Sequence, residues 1–315
     1  MVTAVATKLE SLTRDYILNC SIEGKSPKTI ATYETILKNF IWYCCQNDFP
    51  EAPELKATHI RQFQHYLLTE SNRWGSGNPA ARKPASRTTV NDYYRALHCF
   101  FNWLMREELI AENPFTSLKA PKVEKKVIQA ITPIEIERLF NQCSKKTTLH
   151  MRNKVILSIL IDCGLRVSEL ANINLTDIEW ETRSILIRQG KGGKQRVVHM
   201  GSRAQKALWR YITLFRKSDS SRVFINRSGK PLDAIGIKIL IKRLGQKAKV
   251  KVHPHKLRHT FAVIFLRNGG DVFSLQYLLG HSTLQMTQRY LQSLNATDAA
   301  NAHRKYSPLD NINKK

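Results

Sequence analysis

SILIRQGKGGKQRVVHM, residues 184–200, sets two short apolar runs on either side of a Gly- and Lys-rich centre. That is the pattern of a β-hairpin. Almost everything around it has helical spacing. NKVILSILIDCG (153–164), just upstream, is apolar all round and reads as a buried helix stopped at Gly164. Downstream, VFIN (223–226) before the turn RSGKP reads as a further short strand, and helices resume from about Asp233. The predicted fold class is mainly α, with a small β-hairpin or sheet confined to the second half.

Further upstream the pattern is all helical. Residues 8–22 have apolar side chains at helical spacing. Ser26 can cap a helix whose first turn accepts Pro27, which predicts a helix over 27–46. Another begins at Thr58. A loop rich in Gly, Pro, Ser and Arg runs from Ser71 to Arg87, followed by a long amphipathic helix that ends before Asn113-Pro114. Residues 1–115 therefore read as a helical bundle. Residues 116–130, with Pro121, four lysines and little periodicity, read as a basic interdomain linker. Thr132-Pro133 with Glu135 has the form of a capped helix start, so a second domain spans 131–315.

The chain has 315 residues, too many for one core of ordinary size, and its 42% hydrophobic and 24% charged composition is globular. Its formal net charge is +25. Residues 1–125 carry 16 basic and 13 acidic side chains, so 34 and 12 fall to the remainder. A domain this basic faces a polyanion, and nucleic acid is the partner that fits best. A membrane surface fits less well, because no helix sets Lys and Arg opposite a Trp/Leu face. No apolar run approaches the roughly 18–20 residues that span a bilayer, and the start lacks a signal peptide, so the cytoplasm is the expected location. None of the six cysteines forms C-x-x-C, which argues for reduced thiols over a zinc ribbon or redox site.

Four stretches of the second domain carry the candidate chemistry: CGLRVSEL (163–170), GKGGKQRVV (190–198), HPHKLRHTF (253–261) and LLGHSTLQMTQRY (278–290). Each alone is ambiguous. Arg166 fits a helix-start salt bridge, GKGGK fits a plain turn and lacks P-loop spacing, and Tyr290 fits a core position. His255 and His259 at i, i+4 have metal-ligand spacing, but Asp271 is the only carboxylate in 253–290 to accompany them.

Together they resemble the tyrosine recombinase (phage integrase) family, in its Xer-like, two-domain form. The ordered set is G-L-R-x-S-E-L, a G-K-G hairpin, H-x-L-R-H-T, L-G-H, and Tyr290 nine residues after His281. SPKTIATY (26–33) and NPFxxLKxPK (113–122) match the family's SAM-like core-DNA-binding domain. The departures are small: Cys163 and Met286 where Thr is commoner, and a long 71–87 loop.

The resemblance implies a site-specific DNA recombinase working through a 3′-phosphotyrosine and a Holliday junction. A phosphodiester transition state gathers charge on its non-bridging oxygens, and planar guanidiniums suit those oxygens. By position Arg166 and Arg258 fill that role. Lys191 is the general acid for the leaving 5′-oxygen, with Lys194 as its rival. Tyr290 is the nucleophile; a phenol ordinarily ionises near 10, so it needs a base or a positive field. His255 accepts or orients the proton, His281 donates to a phosphate oxygen, His259 gives structural support and His253 takes no part. Lys194, Arg196, Lys119 and Lys122 are expected to contact DNA. No metal or other cofactor is expected. The partners implied are double-stranded DNA at two recombination sites and a homotetramer. A helical tail over 296–304 is implied to contact a neighbouring subunit or, failing that, to fold back in cis, and directionality or accessory factors are further partners the resemblance allows. Three rivals stay open: a DNA-binding regulator without strand transfer, a type IB topoisomerase-like relaxase, and a metal-dependent nuclease.

Overall fold

The computed structural model describes residues 2–75, 81–123, 129–188, 195–294 and 296–307. The chain divides into two compact units, Met1–Lys125 and Lys126–Lys315.

The first unit is helical: α1 (Val2–Ile22), α2 (Pro27–Gln46), α3 (Ala57–Thr69) and α4 (Arg87–Arg106). Ser26 caps α2 by accepting from the Thr29 N–H at 3.2 Å, and Ser86 caps α4 in the same way from Thr89. Aromatic side chains fill the interior. Phe40, Phe63, Phe100 and Phe101 are fully buried, and the Phe40 and Phe63 rings meet edge-on with centroids 5.1 Å apart. The first part of the stretch read as a linker lies on this unit. The Tyr94 hydroxyl donates to Leu118 O at 2.9 Å, and the Asn91 amide to Pro121 O at 3.3 Å. Lys119 and Lys122 are exposed there.

The second unit opens with α5 (Pro133–Asn141), whose capping box pairs Thr132 with Glu135. Then come α6 (Thr148–Cys163), the short α7 (Val167–Ala171), three strands, α8 (Ser202–Arg210), α9 (Ala234–Ala248), α10 (Pro254–Arg267), α11 (Val272–Leu279), α12 (Leu284–Gln288) and α13 (Ala296–Tyr306). Helix α6 is the apolar centre, with Val155, Ile156, Leu157 and Leu160 fully buried. The strands β1 (Ile178–Glu179), β2 (Ser184–Ile187) and β3 (Arg196–His199) form an antiparallel sheet in the order β1-β2-β3. The hairpin register pairs Ile187 with Arg196 and Ser184 with His199. Its turn, with Lys191 and Lys194, lies outside the described residues.

One expectation changes. VFIN forms no strand: Asn174 bridges to Arg222 just before it, Ile225 within it bridges to Pro231, and Val223 N donates to Ile173 O at 2.9 Å. Buried Val223 and Phe224 serve the core rather than a ladder. Tyr290 lies just beyond the end of a helix. Helix α12 ends at Gln288, Tyr290 N donates to Thr287 O at 3.0 Å, and a single tight turn over Leu291–Ser293 follows before α13. Helix α13 rests on its own chain: the Arg267 guanidinium pairs with Asp298 at 3.0 Å. Among the described residues no helix is long and apolar enough to cross a membrane.

Gly164 ends α6 in the left-handed region at φ 62, and a Cβ there would lie 2.2 Å from the Phe261 ring. Gly164→Ala is therefore expected to destabilise the chain by about 2–4 kcal/mol, from left-handed strain plus overpacking against a buried ring. Urea denaturation checks this. A loss under about 1 kcal/mol would mean that the α6–α10 packing relaxes around the methyl.

Candidate active site

The site is organised around one buried carboxylate. Arg166 occupies the N-cap of α7, and Glu169 follows three residues later, 4% exposed. Glu169 Oε2 accepts from the Arg166 backbone N–H at 2.8 Å, and Oε1 accepts from its guanidinium at 2.8 Å. Arg196 closes the other side: its Nη1 and Nη2 donate to the two Glu169 oxygens at 2.9 and 2.8 Å. A bidentate pair of this kind is among the stronger hydrogen-bonded ion pairs. Burial alone would raise the Glu169 pKa. The hydrogen bonds and charge of Arg196, then the N–H groups of Arg166, outweigh it and hold the carboxyl below its usual range.

Arg196, expected from the sequence to contact DNA, faces inward in the free chain. Its side chain is 6% exposed and fully committed inside. In the strand R-V-V-H, Arg196 and Val198 are buried while the residues between and after them are not. The two-residue alternation of a strand already places Arg196 on the inward face.

Arg258, on α10, is 3% exposed. Its Nη1 donates to Gly164 O at 2.8 Å, and its Nη2 donates to Leu279 O at 2.6 Å and to His281 Nε2 at 3.1 Å. Burial, then Arg166, pushes its pKa down to about 10, which leaves it cationic at neutral pH. His281 follows Gly280, the left-handed cap of α11 at φ 62. Because a guanidinium can only donate, Nε2 of His281 accepts, so Nδ1 carries the proton and donates to Thr287 Oγ1 at 2.9 Å. Burial, then Arg258 and Arg166, pushes the His281 pKa down to about 4. The imidazole is neutral at pH 7.

Tyr290 is 6% exposed. Its ring lies nearly parallel to His281, with centroids 6.0 Å apart, and 5.2 Å from His259. His259 is buried and shares a hydrogen bond with Ser293 Oγ at 3.2 Å, which holds the turn after Tyr290. His255 sits on the exposed side of α10 with its ring 6.5 Å from His253, whose side chain caps that helix. Burial, then Arg258, lowers its pKa. Among the described residues no three His, Cys, Asp or Glu side chains converge as metal ligands do.

The structure therefore brings together Arg166, Arg258, His281 and Tyr290 from three separate stretches of the chain. Sequence reasoning missed the role of Glu169, although the signal was present: an acid three residues after a helix-start residue is a capping pattern. Three guanidiniums over one carboxylate leave a net positive site. Arg166, with 25% of its side chain exposed, is its open face. Such a site suits a single tetrahedral anion.

Known proteins match this architecture. The phage integrase family matches residues 129–297, and the phage integrase N-terminal SAM-like domain matches residues 12–111. The chain is 36% identical over 276 residues to the tyrosine recombinase XerC of Bacillus subtilis (strain 168), covering 84% of this chain and 90% of that protein. The crystal structure of XerA recombinase superposes with a TM-score of 0.51 at 27% identity, over 96% of this chain and 99% of that one. The Tn1549 transposon integrase, solved with a circular intermediate DNA, shares the fold with a TM-score of 0.72 at 20% identity, over 93% and 99% of the two chains. By the family match and the identity to XerC, the chain belongs to the phage integrase family, as a Xer-like tyrosine recombinase.

Proposed function

We propose that the chain cuts and rejoins duplex DNA at specific sites, with Tyr290 as nucleophile. The observation that carries this reading is the seating of the Tyr290 ring on His281, which itself accepts from Arg258. Arg166 and Arg258 hold the non-bridging oxygens of the scissile phosphate and neutralise the charge that builds there. The Tyr290 oxygen bonds to phosphorus, its proton passes to His255, and the P–O5′ bond breaks. Lys191 gives its proton to the leaving 5′-oxygen, and a 3′-phosphotyrosine remains. One phosphodiester is exchanged for another, so the step reverses when a new 5′-hydroxyl attacks. Two sites, four subunits and a Holliday junction follow from exchanging strands in pairs. The exposed Lys119 and Lys122, with Lys194, contribute phosphate contacts that position without specifying sequence.

His281 needs an N–H on Nε2 to donate to phosphate, and in the free protein that nitrogen accepts from Arg258. A bound phosphate takes over the Arg258 N–H and stabilises the imidazolium, so its pKa is expected to rise on binding DNA. NMR of nitrogen-labelled histidine checks this: titration at about 4 without DNA and a clearly higher value in the complex, the direction in which a nearby negative charge drives it. An unchanged value would remove His281 from the phosphate site. In the free protein the depressed pKa means that the unfolded chain binds more protons. This contribution to stability is present above the ordinary histidine pKa and is lost as pH falls towards 4.

Passing α13 to a neighbouring subunit requires breaking the Arg267–Asp298 pair. Deleting residues 297–315 is expected to leave single-site DNA binding intact and to reduce cooperative assembly on paired sites in gel-shift titrations. Unchanged cooperativity would confine the tail to its own chain.

The reading as a whole is tested by incubating the protein in EDTA with nicked duplexes cut from DNA flanking its own gene, followed by a denaturing gel. A protein–DNA band without metal is the expected result. Cleavage only after a divalent metal is added points to a nuclease, and selective binding with no adduct points to a regulator.

A further inference from the structure

We propose that Arg196 is a positioning residue that sets the two phosphate-facing arginines, acting through Glu169 and through the last turn of α11. This rests on the reading of Arg166 and Arg258 given above.

Helix α11 closes with paired backbone bonds: Gly280 N donates to Tyr277 O at 2.9 Å, and His281 N to Gln276 O at 3.1 Å. The next three carbonyls are left without helical partners and carry the negative end of the helix dipole. Each takes a different arginine. Arg196 Nε donates to Leu278 O at 2.9 Å, and Arg258 Nη2 donates to Leu279 O at 2.6 Å. Arg166 Nη2 makes a longer contact to Gly280 O at 3.5 Å. Three guanidiniums from distant parts of the chain are thus arrayed on three successive carbonyls that lead directly into His281.

Among these arginines, Arg196 is the one whose guanidinium binds both oxygens of Glu169. It fixes the carboxylate that receives Arg166, and it pins the turn that receives Arg258. Glu169 Oε2 is 4.0 Å from Arg258 Nη1. Without Arg196 the unbalanced carboxylate would draw Arg258 inward, away from phosphate. Lysine cannot replace this function, because an ammonium has no planar fork to span two carboxylate oxygens and a carbonyl at once. The glycine of L-G-H belongs to the same device. A Cβ on Gly280 would stand 3.1 Å from Arg196 Cδ and Nη1.

The consequence is a defect in charge neutralisation at the scissile phosphate, not in DNA affinity. The experiment compares the wild type, Arg196→Lys and Arg258→Lys in the full chain. The substrates are two nicked duplexes, one with an ordinary scissile phosphate and one with a methylphosphonate there. The methylphosphonate has no anionic oxygen, so it depends less on well-placed guanidiniums. Arg196→Lys is expected to slow adduct formation on the phosphate by about 10²-fold and on the methylphosphonate by less than about 5-fold, with DNA affinity within about 3-fold. An equal fall on both substrates, or a wild-type rate on the phosphate, overturns the proposal. Should Arg196→Lys fail to fold, Arg196→Gln with Glu169→Gln removes both buried charges, and the same ratio is read. Arg258→Lys separates the two claims. If it too falls equally on both substrates, the phosphate-binding reading fails. If it alone shows the selective loss, only the role of Arg196 fails.

Discussion

Tyr290→Phe is expected to bind its DNA site as tightly as the wild type and to form no covalent adduct, a loss on the order of 10⁴-fold or more in the rate of cleavage. The substitution removes one oxygen and leaves the ring. That ring is part of a small buried cluster with Phe261, Leu275 and Leu279, and it lies against His281 and His259. Folding should therefore change by less than about 1 kcal/mol, because packing is retained. The experiment is a pair of measurements on one preparation: equilibrium binding by gel shift, and adduct formation on a nicked duplex. Residual cleavage within about 10-fold of wild type would place the nucleophile elsewhere.

Glu169→Ala is expected to destabilise the catalytic unit by about 3–5 kcal/mol and to abolish most activity, since it leaves a buried guanidinium without its counter-charge. Arg196 loses both carboxylate bonds, and Arg166 loses two more, one to its backbone N–H and one to its side chain. Urea denaturation measures the first effect. Glu169→Gln keeps the shape and an acceptor, so it should fall between wild type and Ala. Acid adds a signature. Glu169 titrates below its usual range in the folded chain, so its contribution is complete above the ordinary carboxyl pKa and is lost as pH falls through the lower, folded value. Glu169→Gln removes that part of the acid dependence. A Glu169→Ala chain as stable as wild type would contradict the central place given to this carboxylate.

Local signals were legible in the sequence because their causes are local. Ser26 with Pro27, Thr132 with Glu135, and Gly164 each mark a helix end through bonds spanning a few residues. The hairpin showed itself by two short apolar runs around a Gly-rich centre. The family motifs brought Arg166, Arg258, His281 and Tyr290 to attention without showing how they meet. What stayed hidden depends on distant partners. Arg196 and Glu169 stand 27 positions apart, and Arg258 and Gly164 stand 94 apart, so no window of sequence shows that a basic residue beside a Lys-rich turn faces inward. Strand alternation at Arg196 and Val198 carried that information, but the surrounding positive charge suggested DNA instead. VFIN has strand-forming residues, yet its backbone is satisfied by isolated bridges, an outcome set by what neighbours it.

The most direct test of the account is to locate the covalent bond. The trapped complex is digested with nuclease and trypsin, the peptide carrying the nucleotide is sequenced by mass spectrometry, and the released DNA end is assayed for phosphate. The account predicts a nucleotide joined through its 3′-phosphate to Tyr290 and a free 5′-hydroxyl on the other strand end. A nucleotide on any other residue, or a 5′-phosphate linkage, would contradict it.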